Sequence, residues 1–236
     1  MLKLFVSGSD KNKAIVTAGL SATMQSLGYS TSVYKPIQTG AIDHDGFIQA
    51  PDLAFVKFID SYIKTYFTYL LKNPAIPILS AELENTVIDK DLIAEDFLSI
   101  HDECIIVDGT DGLFTPLAEG MAELNLTKNL SLPVLLSVSP LDENIGDVIA
   151  TINCAYMSNV WFRGVVINGY PSEYTDIGNL NVKSFPRLIE RYTNIKVLGI
   201  LPQLPRTIKP NDLISEILTG IDLESVFDVK IAKLNI

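Results

Sequence analysis

Short apolar runs alternate with helical stretches along nearly the whole chain, and this alternation constrains the fold more than any other feature. Leu2–Ser7, Glu103–Asp108, Val134–Val138, Phe162–Ile167 and Lys196–Ile200 are five or six residues long and carry mostly Val, Ile, Leu or Phe. Such runs read as strands buried on both faces, the habit of a parallel sheet. Thr31–Tyr34 is a further short strand, ended by Pro36. Between the strands, apolar residues recur at helical spacing over Ala14–Leu27, Pro51–Asp60, Asp89–Ser99, Ile145–Met157 and Asn211–Thr219. Gly28 stops the first of these helices, and Asn211 is the expected N-cap of the last. Gly40–Gly46 reads as a polar loop, Pro74 and Pro77 mark an irregular passage, and the class of Tyr62–Leu71 stays open. No linker or repeat interrupts the pattern. A parallel sheet needs helical cover on both faces, so the expected architecture is α/β, a three-layer α/β/α sandwich, with residues 1–236 as one domain.

Composition narrows the partners. Hydrophobic residues make up 47% of the 236 residues and charged residues 19%, which excludes a disordered chain. The net charge of −10 repels nucleic acid backbones and anionic membranes at long range, so neither is an expected partner. The apolar opening, broken by Lys3, is too short for a signal peptide, and no run of eighteen apolar residues occurs. A cytoplasmic protein is expected. Cys104 and Cys154 both lie in apolar surroundings and read as buried free thiols; neither they nor His44 and His101 form a metal-spacing cluster.

Ligands of open α/β sheets bind beyond the carboxyl ends of the strands, so the residues just after each strand hold the chemistry. After the first come Gly8, Ser9, Asp10, Lys11, Asn12 and Lys13, where a phosphate-binding loop belongs. Such a loop ends in Gly-Lys-Thr or Gly-Lys-Ser. Here those three positions read as Ala14, Ile15 and Val16, so the lysine and the metal-holding hydroxyl are missing there. A helix N-terminus with Lys11 and Lys13 remains, and it reads either as an anion site or as a polar loop with two solvated lysines. Lys35 follows the second strand and is held by Pro36; it reads as a stabiliser of charge on a transferring group or as a surface lysine. Asp108 closes the most apolar strand beside Gly109, Thr110, Asp111 and Gly112, the arrangement of a magnesium carboxylate near phosphates. Asp52 is either a second carboxylate or an ordinary helix-start acid. Asn168 either reads a base edge or caps a turn.

Taken together, these segments resemble dethiobiotin synthase, whose fold is of the phosphate-loop NTPase kind. Val6-Ser7-Gly8-Ser9-Asp10, Tyr34-Lys35-Pro36 with Thr39-Gly40, and Val107 to Leu117 are similar to its first, second and central segments. Val165-Val166-Ile167-Asn168 and Gly199-Ile200-Leu201-Pro202 fit its nucleotide-side strand ends. The resemblance implies a homodimer with sites at the interface, using ATP, Mg²⁺ and CO₂ on a diamine, 7,8-diaminopelargonate. The diamine is carboxylated, the carbamate is activated by phosphoryl transfer, and a cyclic urea closes. By this likeness Lys35 serves the carbamate and phosphoryl group, with Lys11 or Lys13 as the replacement phosphate lysine. Gly8, Ser9, Asp10 and Asn12 wrap phosphates, and Asn168 and Pro202 meet the nucleotide. Thr39, Gly109 and Thr110 contact substrate, and Asp52 and Asp108 hold the metal. Departures from the family pattern are the Ala14-Ile15-Val16 stretch, Asp111 in place of a glycine, and the loop Ser139–Gly146. The competing expectation is a homologue without ATP chemistry that binds another small anion or serves as a non-catalytic partner subunit.

Overall fold

The computed structural model describes residues 1–8, 13–171 and 180–231. In chain order the elements are β1 (Leu2–Ser7), α1 (Lys13–Ser26), β2 (Thr31–Gln38), β3 (Ile42–His44), β4 (Phe47–Gln49), α2 (Pro51–Ile59) and β5 (Lys64–Leu70). There follow α3 (Pro77–Leu83), α4 (Lys90–Leu98), β6 (Cys104–Asp108), β7 (Pro116–Ala118), β8 (Met121–Ala122), α5 (Glu123–Asn129) and β9 (Val134–Val138). The last are α6 (Ile145–Met157), β10 (Phe162–Tyr170), α7 (Leu180–Thr193), β11 (Val197–Pro202), α8 (Pro210–Gly220) and α9 (Leu223–Phe227).

Seven strands form one sheet in the order β11-β10-β9-β1-β6-β2-β5, and every neighbouring pair is parallel. The chain fills one side of β1 with β2, β5 and β6, then crosses to place β9, β10 and β11 on the other. Alternation along each strand divides the apolar side chains between two cores. Leu4 and Val6 of β1 pack with α1, α2, α8 and α9. Phe5 of the same strand faces the opposite core, with Ile93 and Phe97 of α4, Ile152 of α6 and Ile189 of α7. The expected three-layer sandwich is therefore the observed architecture.

Local expectations fare unevenly. Pro36 does not end β2, which runs on to Gln38. It sits past the last β2–β6 pair, Tyr34 with Val107, so its missing N–H leaves no bond to β6 unmade. The stretch Gly40–Gly46 is not simply a loop. It contains β3, which pairs antiparallel with β4 around Asp45-Gly46, at φ of 51° and 94°, the geometry that a two-residue hairpin turn demands. Pro77 opens α3 rather than breaking the chain, as proline does at a first helical position. The open segment 62–71 contains β5, an edge strand. Lys209, not Asn211, is the N-cap of α8, because Pro210 already occupies the first turn.

The cysteines also separate. Both are free thiols, Cys104 buried in β6 and Cys154 exposed. Val148, Ile152 and Ala155 turn the inner face of α6 to the core, which leaves Cys154 on the outer one. Burial pushes the Cys104 thiol up to about 12, so its reactive thiolate is scarce at neutral pH. Native protein is therefore expected to consume one equivalent of an aromatic disulfide reagent, and a second only in denaturant. Two fast equivalents from the native state would contradict this burial.

Candidate active site

The carboxyl ends of β1, β2 and β6 lie side by side in the sheet, and the residues that follow them line a cleft of about 210 Å³. Gly8, Lys13, Lys35, Gln38, Thr39, Asp52, Thr110, Asp111 and Arg206 form its walls. Gly8 can only be glycine. A β-carbon there would lie 2.2 Å from the Ser137 carbonyl oxygen, so the chain turns off β1 hard against β9.

Lys13 is the first residue of α1, and its side chain is only 8% exposed. Its Nζ lies 2.5 Å from Asp108 Oδ1 and donates to the Gly109 carbonyl at 2.9 Å. Lys35 comes from β2, its side chain 4% exposed. Its Nζ donates to Asp108 Oδ2 at 2.8 Å and to the same Gly109 carbonyl at 2.6 Å, and lies 3.0 Å from Asp52 Oδ2. Thr17 Oγ1 donates to Asp108 Oδ1 at 2.9 Å. Asp108 is thus the floor of the cleft, held from two elements at once. Asp52 stands in the first turn of α2 and is partly open to the cleft.

Two of these groups, Lys35 and Asp108, are shifted in a definite sense. Burial works against the Lys35 ammonium, yet Asp108 and Asp52 outweigh it and hold the group well above the usual lysine range. Burial likewise pushes the Asp108 carboxyl up, but Lys13 and Lys35 dominate and keep it well below the usual carboxylate range. The Lys35 ammonium therefore stands charged in a buried site, beside a carbonyl that Lys13 also binds. Such an arrangement is suited to meeting the oxygens of a phosphate or carboxylate.

The sequence reading puts the family's phosphate lysine at Ile15, between Ala14 and Val16, and offers Lys11 or Lys13 as its replacement. Ile15 and Val16 are fully buried in the core, and Ala14 nearly so, whereas Lys13 turns its ammonium to the strand ends. Lys13 stands two residues before Ile15, at the first position of α1. Ser9, Asp10, Lys11 and Asn12 lie outside the described residues.

The structure brings Lys13, Lys35, Thr39, Asp52 and Thr110 to one cleft, with Asp108 and Gly109 forming its base. Asn168 and Pro202 do not line it. They lie in β10 and β11, on the far half of the same sheet edge. Arg206, four residues beyond Pro202, lines the cleft. Sequence reading missed Thr17, which stands four residues after Lys13 and so shares its helix face. Arg206 and Glu123, the carboxylate behind Thr110, carried no local signal at all.

Residues 3–211 match the family profile described as AAA domain. The ATP-dependent dethiobiotin synthetase of Fusobacterium nucleatum is 30% identical over 200 residues, covering 81% of this chain and 90% of that protein. The chain belongs to the AAA domain family and to the dethiobiotin synthetases. Proteins of the same name resemble it in Bacillus licheniformis, at 28% identity over 86% of this chain and 87% of theirs, and in Anoxybacillus flavithermus, at 27% over 86% and 93%. Among solved structures, the MinC:MinD cell division protein complex of Aquifex aeolicus superposes with a TM-score of 0.53 at 14% identity, covering 92% of this chain and 88% of that one. That likeness shows the fold alone. Among the described residues, no helix is long and apolar enough to cross a membrane.

Proposed function

We propose that this dethiobiotin synthetase homologue is an active ATP-dependent ligase, a cytoplasmic homodimer that carboxylates 7,8-diaminopelargonate with CO₂ and closes the cyclic urea through a carbamic-phosphoric anhydride. The observation that carries the reading is the convergence of Lys13 and Lys35 on the Gly109 carbonyl and Asp108 at the floor of the strand-end cleft. A phosphoryl group leaving ATP spreads negative charge over its oxygens, and catalysis of its transfer is mostly positioning and charge neutralisation. In this reading Lys13 and, in the loop before it, Lys11 meet the phosphates, while Ser9, Asp10 and Asn12 wrap them. Lys35 stands between carbamate and transferred phosphoryl group. A carbamate oxygen forms the new bond to phosphorus as ADP departs. The second amine nitrogen then attacks the carbamate carbon, and phosphate leaves. Thr39 and Thr110 hydroxyls orient the diamine from the cleft walls, and Asn168 and Pro202 receive the base beyond Arg206.

The residues present also fit a magnesium ion that arrives with the nucleotide. Among the described residues there is no ready cage of three or more metal-ligating side chains. Magnesium seldom needs one, since it takes one or two carboxylates and completes its shell with phosphate oxygens and water. Asp52, open to the cleft, would hold it, with Asp108 behind. The ion would supply neutralisation of phosphate charge.

The test is phosphate release by purified protein with ATP, Mg²⁺, bicarbonate and the diamine. Release is expected only when all four are present, together with a cyclic urea product by mass spectrometry. Phosphate release indifferent to the diamine, or none under any condition, would leave the chain as a homologue that has lost the ligase reaction.

A further inference from the structure

Glu123 is fully buried, 116 residues from one of its partners in sequence, and no step described above uses it. It opens α5, where an acid is ordinarily welcome near the helix N-terminus. A helix-start acid of that kind usually faces its own backbone or solvent. This one reaches away from its helix into the strand-end loops. One oxygen accepts from Ser7 Oγ at 2.5 Å, at the end of β1. The other accepts from Thr110 Oγ1 at 2.6 Å and from the Thr110 backbone N–H. A β-carbon on Gly109 would lie 2.8 Å from Glu123 Oε1, so residue 109 is glycine where the carboxylate passes.

The Thr110 N–H and the Gly109 carbonyl belong to one peptide unit. The unit is planar, and in the trans form its N–H and C=O point in opposite directions. Holding the N–H on a buried carboxylate therefore aims the carbonyl the other way, to where Lys13 Nζ and Lys35 Nζ both bind it. A peptide beside glycine has little steric resistance to turning over, and Glu123 supplies the resistance that Gly109 lacks. The negative charge behind the unit also polarises it, which strengthens the carbonyl as an acceptor for two ammonium groups.

We infer that Glu123 is a positioning residue for the ligase reaction: it locks the Gly109–Thr110 peptide so that the carbonyl holds Lys13 and Lys35 side by side over Asp108. The inference rests on the reading of the cleft as an ATP ligase site. Glu123→Gln keeps an oxygen for Thr110 and an amide that can donate to Ser7. Glu123→Met fills similar space with no acceptor. In Glu123→Met, kcat is expected to fall roughly tenfold to a hundredfold, the cost of misaligning groups that must be held in register, with the KM for ATP changed much less. Glu123→Gln is expected to recover most of that loss. A second measurement needs neither activity nor a folded variant. Hydrogen exchange of the Thr110 amide in the unaltered protein is expected to be slow despite its place in a loop. A Thr110 amide that exchanges as freely as exposed loop amides would overturn the inference. So would a folded Glu123→Met enzyme with unchanged kcat. If the unaltered protein shows no ligase activity, the functional reading falls, and the amide exchange still decides whether Glu123 locks the peptide.

Discussion

Lys35→Met is expected to lower diamine-dependent phosphate release by roughly two to three orders of magnitude, the usual loss when one preorganised donor to developing charge is removed. Methionine fills much of the same volume, so the change isolates the ammonium from its packing. Lys35 pairs with two acids at once, Asp52 at 3.0 Å and Asp108 at 2.8 Å. Lys13 reaches Asp108 through the other carboxylate oxygen, so the two ammonium groups take separate places. The proline that follows Lys35 and the β5 ladder beside it fix its backbone, so the ammonium position is set by the sheet rather than by a mobile loop. Steady-state phosphate release checks the expectation. Turnover within about threefold of the unaltered enzyme would remove Lys35 from the chemistry, since a group at the reacting centre cannot be so cheaply lost.

Asp108→Asn carries the largest expected effect on stability. It leaves Lys13 and Lys35 buried together with one carboxylate, Asp52, in place of two. Breaking a buried pair by removing one partner costs about 3–5 kcal/mol, because the remaining charge is desolvated and uncompensated. The double variant Lys13→Met with Asp108→Asn removes one charge of each sign and is expected to regain much of that loss without regaining activity. The pH dependence has a definite sign. Asp108 has a depressed folded pKa, so its contribution is present above the ordinary aspartate value of about 3.9 and fades as pH falls through the folded value. Lys35 has a raised folded pKa, so its contribution is whole below the ordinary lysine value of about 10.4 and fades as pH rises through the folded value. Urea unfolding should therefore show a broad plateau between those limits, with an acid limb that is shallower in Asp108→Asn. An acid limb of equal steepness in both proteins would contradict the charge assignment of Asp108.

Most of the sheet was legible because strands buried on both faces leave a plain mark, and β6 and β9 are nearly uninterrupted apolar runs. Lys35 and Asp108 were legible for a related reason: both lie toward the carboxyl ends of strands, the ligand edge in this architecture, whereas Asp52 was legible only as an acid at a helix start. The exceptions share a cause, which is that the deciding partner is far away in sequence. β5 lies at the sheet edge with Tyr66 and Phe67 exposed, so it lacks the apolar signature of its neighbours. Glu123 looks like any helix-start acid until Ser7 and Thr110 are brought to it. Lys13 was legible as one of two lysines ahead of α1, and Ile15 and Val16 continue the apolar pattern of that helix into the core. The hairpin at Asp45-Gly46 was also within reach, since Asp-Gly is among the strongest short turn signals.

The central claim is that Lys13 and Lys35 face the phosphates of a nucleotide at the start of α1. Isothermal titration of ATP with Mg²⁺ into the unaltered protein and into Lys13→Ala tests it most directly. One nucleotide per chain is expected in the unaltered protein, with affinity reduced at least about tenfold in the variant, as for loss of a charge-assisted bond worth roughly 1.5–3 kcal/mol. No heat from the unaltered protein, or equal affinity in both, would contradict it.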